Sequence, residues 1–390
     1  MTLQQHASPL SSLAVAVATA ALLSACGGGG DAEPTSTSAS APSGAEAVAE
    51  PSTSTPSGGT STAPSTGTSS TPSSGTTPST GSSSTPSTGT SPSTGTSQTP
   101  SVPASGYAAG SEERAAFELL NTERTRCGFG ALAQNAALDV AARGHADWLL
   151  LNNYTGHGQV AGTPGFTGAS SLDRMVAAGY AARGSFGSAE VQADATTAKP
   201  GAGTARVRGL FNAPYHLLIM TRGYRDVGVA VRDKADVGLS PNNRHALNID
   251  LAYQGSAGMQ APAAGSLRTY PCEGSSGLAR SLTNESPNPV PGRNLAQQPL
   301  GTTVSVVADA GSTLTLTGAS MVKVSTGLAV SLRQPVTKAN DPNGGTYVNA
   351  NEGFISADAP LEANTAYRVT VNGTANGAAF TRTFTFSTGS

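Results

Sequence analysis

A chain of 390 residues has length enough for two or three domains, yet only 12% of it is charged and 5% aromatic, against about 25% charged in an ordinary soluble domain. One long stretch contains almost neither kind of residue and cannot bury a core. The formal net charge of −2, without clustered Lys and Arg, excludes an obvious phosphate-binding surface and discounts nucleic acid as a partner.

In chain order, Leu10 to Leu23 is an apolar run broken by Ser and Thr and ended by Leu23-Ser24-Ala25-Cys26. It is too short for a bilayer span of about 20 residues but suits the core of a signal peptide. The last four residues read as a lipobox, making 1–25 a lipoprotein signal peptide and Cys26 the lipidated first residue of the mature chain. Met1 to Pro9 carries His6 but no Lys or Arg, a departure from the usual charged leader. Residues 26–105 are mostly Ser, Thr, Pro and Gly, with near-repeats such as Thr77-Pro78-Ser79-Thr80-Gly81. That composition predicts a disordered linker, with an r.m.s. reach of about 50 Å for roughly 80 flexible residues. The expected protein is extracytoplasmic and tethered by lipid to a bacterial membrane, at the outer membrane or cell surface.

Folded sequence starts abruptly. Ser111 can cap a helix whose first turn holds Glu112 and Glu113 and which Gly128 can end. Asn135 precedes a second helix with Leu138, Ala142, His145 and Leu149 on one stripe, and a shorter one is predicted from Ser171 to Gly179. Val227, Val229 and Val231 alternate with other residues, and Leu247, Ile249 and Leu251 alternate with Asn248 and Asp250, so both segments predict strands. Helices first and strands later indicate an α+β domain. Pro287, Pro289 and Pro291 mark a boundary, and the alternating runs beyond it predict a β-sandwich over 287–390. With Cys26 lipidated, Cys127 and Cys272 are left to pair as a disulfide in an oxidising compartment. Such a bridge stabilises by about 5 kcal/mol at the upper end of the chain-entropy treatment. No CxxC occurs, so neither a zinc knuckle nor a thioredoxin-like site is indicated.

The mature chain's four histidines, His145, His157, His216 and His245, all fall between the linker and the sandwich, and histidine is both the commonest metal ligand and the group that titrates nearest neutrality. His145, on an apolar stripe, reads as a buried histidine bonded to backbone rather than a ligand. His245, after Asn242-Asn243, reads as a solvated turn residue. Trp148 reads as core.

Leu120-Asn121-Thr-Glu-Arg124, Leu138-Asp139-Val-Ala141-Ala142-Arg-Gly-His145-Ala146 and Asn153-Tyr154-Thr-Gly-His157 come in this order. Asp173-Arg174, Ala178-Gly179-Tyr180, Asn212-Ala213-Pro214-Tyr215-His216 and Asp226-Val227-Gly228-Val229 follow. This succession resembles the CAP (SCP-type) superfamily of cysteine-rich secretory proteins, antigen-5 allergens and pathogenesis-related proteins. The resemblance implies a CAP domain over 108–275, an α-β-α sandwich, followed by an all-β, bacterial Ig-like domain. It also implies a cleft of two histidines and two acids that sometimes holds a divalent metal. His157 and His216 correspond to the histidines and Glu190 to one acid, although Ala189-Glu190-Val191-Gln192 departs from the usual Gly-Glu-Asn. The other acid falls near Ala213, which has no ligand to offer. His157, Glu190 and His216 could hold Zn²⁺ with one open position, while a His–Glu hydrogen bond alone would satisfy both groups without metal.

Three readings of function follow. A binding module would take a lipid, sterol-like or other small apolar ligand, or a protein partner, in the cleft. A metal-dependent hydrolase would use the same residues, but no GxSxG, HExxH or Cys-His signature supports it, so the balance is against an enzyme. A structural role in envelope adhesion is the third, and the sandwich fold does not decide among them.

Overall fold

The computed structural model describes residues 101–181, 184–261 and 264–390. The expected signal peptide, Cys26 and all but the last residues of the linker lie outside them. Helix α1 (Glu112–Arg126) starts where Ser111 accepts a hydrogen bond from the Arg114 N–H, satisfying one of the four free donors of a helix start. Asn135 caps α2 (Ala136–Leu151) by accepting from the N–H groups of Ala137 and Leu138. Ser170 and Asp173 form a reciprocal capping box on α3 (Ser171–Ala177). Two further helices, α4 (Ala202–Leu210) and α5 (Pro214–Thr221), were not anticipated. Helix α4 has few apolar residues and α5 has an unbroken apolar run from Leu217 to Met220, so neither shows a helical period, and tertiary packing rather than propensity fixes helices of this length.

The first sheet runs in the order β1 (Ala133–Gln134), β3 (Asp226–Asp233), β4 (His245–Tyr253), β2 (Gly187–Ala195). Side chains alternate across it with period two, and the two faces differ. Val191, Val229, Leu247 and Ile249 pack with Phe117 of α1, Leu210 of α4 and Leu217 of α5. On the other face Ala230 and Ala246 meet Ala142, Ala146 and Trp148 of α2, and Ala252 meets Leu138 and Met175. Small residues there let α2 sit close: a Cβ on Gly228 would lie 2.1 Å from the Leu138 carbonyl carbon. The result is three layers, helices on both faces of a sheet, in an α+β chain.

Eight more strands make two sheets. One has the order β5 (Leu267–Tyr270), β7 (Thr303–Ala308), β10 (Glu352–Ser356), β9 (Val336–Thr337), and the other β6 (Ser275–Leu278), β12 (Ala378–Thr388), β11 (Ala366–Ala375), β8 (Leu314–Lys323). Their buried residues, among them Val306, Phe354, Val369 and Phe386, belong to the same core as Phe117 and Ile249.

The expected boundary, with the first domain ending at 275 and the second starting at 287, differs from what the strands do. Strand β5 pairs with β7 from Leu267↔Ala308 to Tyr270↔Ser305, and β6 pairs with β12, so both sheets take a strand from before the prolines. Those prolines lie in a connection whose Leu282, Leu295 and Leu300 bury against Ala213, not in a linker between independent bodies. The Cys127–Cys272 disulfide is present, with Cα atoms 5.5 Å apart, and ties the end of α1 to the turn between β5 and β6. Further ties are polar. Arg222, just past α5, makes a two-pronged ion pair with Glu352 of β10 at 2.9 Å on both prongs, and Asn212 accepts from the Thr303 N–H at 2.8 Å. Two residues of the resemblance, Asn121 and Arg124, are structural. Asn121 pairs with both backbone groups of Leu132, and Arg124 donates to the carbonyls of Phe129, Gly130, Met220 and Arg222.

Candidate functional site

Beneath α2, the sheet buries charge. Glu190 of β2 stands directly opposite Asp250 of β4, with Gln192 opposite Asn248. These four side chains occupy the face that alternates away from Val191 and Ile249. The Glu190 carboxylate is almost fully engaged. Its Oε1 accepts from His157 Nδ1 at 2.7 Å, and its Oε2 accepts from Arg174 Nη2 at 2.6 Å and from Asn248 Nδ2 at 3.2 Å. Burial by itself raises the Glu190 carboxyl. The His145 imidazole, the hydrogen bond from His157 and the Arg174 guanidinium outweigh it and hold the group well below the usual carboxylate range. Asp250 goes the other way. Burial and the neighbouring Glu190 charge push it well above its ordinary value, so the two carboxyls of the pair are driven apart.

Local sequence explains the approach of the partners. Arg174 leaves the first turn of α3 and reaches back to donate to the carbonyls of His157 and Gly168 as well as to Glu190, holding the loop after α2 around the carboxylate. Gly168 has φ +155°, and a Cβ there would come within 2.8 Å of the Arg174 nitrogen, so only glycine lets the loop pass the start of α3.

The two histidines of the cluster differ in partners and exposure. His145 Nε2 donates to the Gly156 carbonyl at 3.0 Å and Nδ1 accepts from the Gln159 amide at 3.2 Å, an arrangement that needs a neutral ring. Burial pushes its pKa down to about 4 although the Glu190 charge pulls the other way. Its Nε2 lies 3.6 Å from Glu190 Oε1, too far for a hydrogen bond. His157 faces an ionised carboxylate that can only accept, so Nδ1 carries the proton toward Glu190 and Nε2 points away from it. His157 is also the member that reaches water: its side chain is 23% exposed, against 0% for His145 and Arg174 and 2% for Glu190. The loop bearing it exposes Tyr154, Val160 and Phe166.

Of the expected set, then, His157 and Glu190 meet and His216 does not join them. His216 sits in α5, whose Leu217 and Leu218 belong to the apolar core of the opposite sheet face. Its Nδ1 bonds Glu285 Oε1 at 3.1 Å, and the same oxygen accepts from the Tyr215 N–H. A pairwise resemblance read from Asn212 to His216 could not reveal that Glu285, in the connection between β6 and β7, takes this imidazole. The expected three-residue zinc set is therefore divided. Among the described residues no group of three or more His, Cys, Asp and Glu is arranged to hold a metal ion. His245 is also corrected: it is the first residue of β4, fully buried, with Nδ1 2.7 Å from the Thr197 carbonyl. His145 and Trp148 are buried as expected. Arg174, Asn248 and Asp250 were missed as site residues. The signal was present for two of them, because Asn248 and Asp250 are polar at alternate positions of an otherwise apolar strand.

No family model matches the chain, and no curated protein does. Among solved structures, the chain is similar to an extracellular protein containing a SCP domain from Bacillus anthracis str. Ames, at 20% identity and a TM-score of 0.26. The match covers 35% of this chain and 39% of that one, so the chain spans about two fifths of that protein's length.

Proposed function

We propose that the protein is an extracytoplasmic binding module, anchored through a lipidated Cys26, that engages a small apolar ligand or surface partner at the His157 loop, with the C-terminal Ig-like sandwich as its rigid base. The observation that carries this reading is the state of His157. One nitrogen is fixed on a buried, ionised Glu190, the other is turned outward, and Tyr154, Val160 and Phe166 stand exposed in the same loop. Exposed apolar side chains in one loop with one oriented polar group are the elements that a selective binding site uses. Fixing the ring through a buried carboxylate pre-organises it, which lowers the cost of ordering it on binding. The purified full chain should bind a fluorescent fatty acid or sterol, and Phe166→Ser should weaken that binding. If neither probe binds the wild-type chain and no lipid or protein is retained through purification, the reading fails.

A hydrolytic reading is favoured by the same pair in one respect. A histidine held at Nδ1 by a carboxylate presents Nε2 as a general base. Turnover of ester or peptide substrates that His157→Ala abolishes would move the proposal to an enzyme.

A further inference from the structure

A cavity lies among the C-terminal strands, separate from the His157 loop. It is a cleft of about 280 Å³ between the 289–291 segment and the loop that carries β9, equivalent to roughly nine water volumes. Its walls hold four pyrrolidine rings, Pro289, Pro291, Pro335 and Pro342, and Leu300 and Phe354 are buried in its lining. Proline has no N–H and one fixed dihedral, so these four residues offer rigid apolar rings without a backbone donor, while Arg333, Gln334, Asn340 and Ser356 make up the polar part of the lining.

Both lips are pinned. Arg293 donates to the carbonyls of Gln298, Pro299 and Asp358, and Val290 N–H donates to Asn288 Oδ1. On the opposite lip, Asn340 accepts from the Thr337 N–H and donates to the Pro335 carbonyl. The cleft is thus formed before any ligand arrives. Its one charged lining residue is Arg333. That guanidinium shares Asp358 with Arg293, which holds the carboxylate at 2.5 Å while Arg333 stands at 3.3 Å. Two arginines on one aspartate leave this group of three with one positive charge in excess, and the Arg333 side chain is 41% exposed.

We infer that this cleft binds a small aromatic carboxylate, its ring among the prolines and Phe354 and its anionic group on Arg333. The proline rings and Phe354 offer the ring an apolar seat, and Arg333, the charged residue of the lining, offers the anion a cation. Phe354 packs edge-on against Tyr215 of α5, with ring centroids 5.7 Å apart, so an occupant would touch a side chain that bridges to the helical layer.

The test uses the full chain and para-fluorobenzoate, followed by ligand-observed fluorine NMR, with para-fluorobenzyl alcohol as the uncharged control. The carboxylate should bind about tenfold more tightly than the alcohol, and Arg333→Gln should remove that advantage. Val336→Trp, which fills the cleft from its lining, should abolish binding of both while circular dichroism stays that of the wild type. Equal binding of acid and alcohol, or undiminished binding by folded Val336→Trp, would overturn the inference. Neither outcome bears on the His157 loop.

Discussion

The two faces of the first sheet solve opposite problems with the same strands. Facing α1, α4 and α5, Val191, Val229, Leu247 and Ile249 join an apolar core that continues without a break into the other two sheets. Facing α2, Glu190, Asn248 and Asp250 are equally buried, but around a carboxylate, a guanidinium and two imidazoles. Apolar packing is non-directional and tolerates substitution of similar volume. A buried ionic network does not: it depends on every partner being present. Stability is therefore expected to be distributed on one face and concentrated on Glu190 on the other.

The largest expected effect breaks the apolar side. A chain ending at Ser286 removes the partners of β5 and β6 and opens the core shared with Val306, Phe354 and Phe386. It should show no cooperative melting transition by calorimetry, whereas independently folded domains would leave a normal transition. Next comes the ionic side. Glu190→Gln leaves the Arg174 guanidinium buried without its counter-ion, at a cost of about 3–5 kcal/mol and a Tm lower by on the order of 10 °C. Adding Arg174→Met should recover part of that loss, because the stranded charge goes with it. The Cys127→Ala, Cys272→Ala double variant should lose about 2–5 kcal/mol in denaturant titration, an effect that belongs to the apolar face and should add to that of Glu190→Gln within a few tenths of a kcal/mol.

Acid should separate the faces more gently. His145 stays uncharged when folded down to about 4, while an unfolded histidine takes its proton near 6.5. The unfolded chain therefore binds more protons between those values, and stability falls on acidification through that window, by at most roughly 3 kcal/mol from this group. Glu190, held below the carboxylate range, adds a loss at still lower pH. His145→Gln should flatten the upper part of the profile in urea titrations run from pH 7 to pH 4. The smallest effect is expected at Asp250. Its raised pKa means a cost that is absent in acid, below the unfolded carboxyl's value, and present at neutral pH. Asp250→Asn should raise Tm by a few degrees at pH 7 and by less near pH 4.

Much of the helical layer was legible because its signals are local. Ser111 and Asn135 act as caps where their side chains can reach the following N–H groups, and the alternating valines and leucines mark one face of two strands that are buried on both. The pairing of Cys127 with Cys272 followed from counting. What could not be read locally was which distant partner each polar group takes. His157 and His216 have similar credentials in sequence, yet one meets Glu190 and the other Glu285, because one stands in the loop after α2 and the other in α5, against a different part of the chain. The proline stretch misled for a related reason. Proline marks where a backbone donor is unnecessary, which is as true of a packed connection as of a domain border, and only the pairing of β5 with β7 distinguishes them.

The claim on which the site rests is that buried, ionised Glu190 fixes the His157 ring with Nδ1 inward and Nε2 outward. Long-range proton–nitrogen NMR on histidine-labelled protein reads this directly. The account predicts that neutral His157 carries its proton on Nδ1 and that Glu190→Gln relaxes this preference toward a mixture of tautomers. A His157 protonated at Nε2 in the wild-type chain, or one indifferent to the Glu190 substitution, would contradict it.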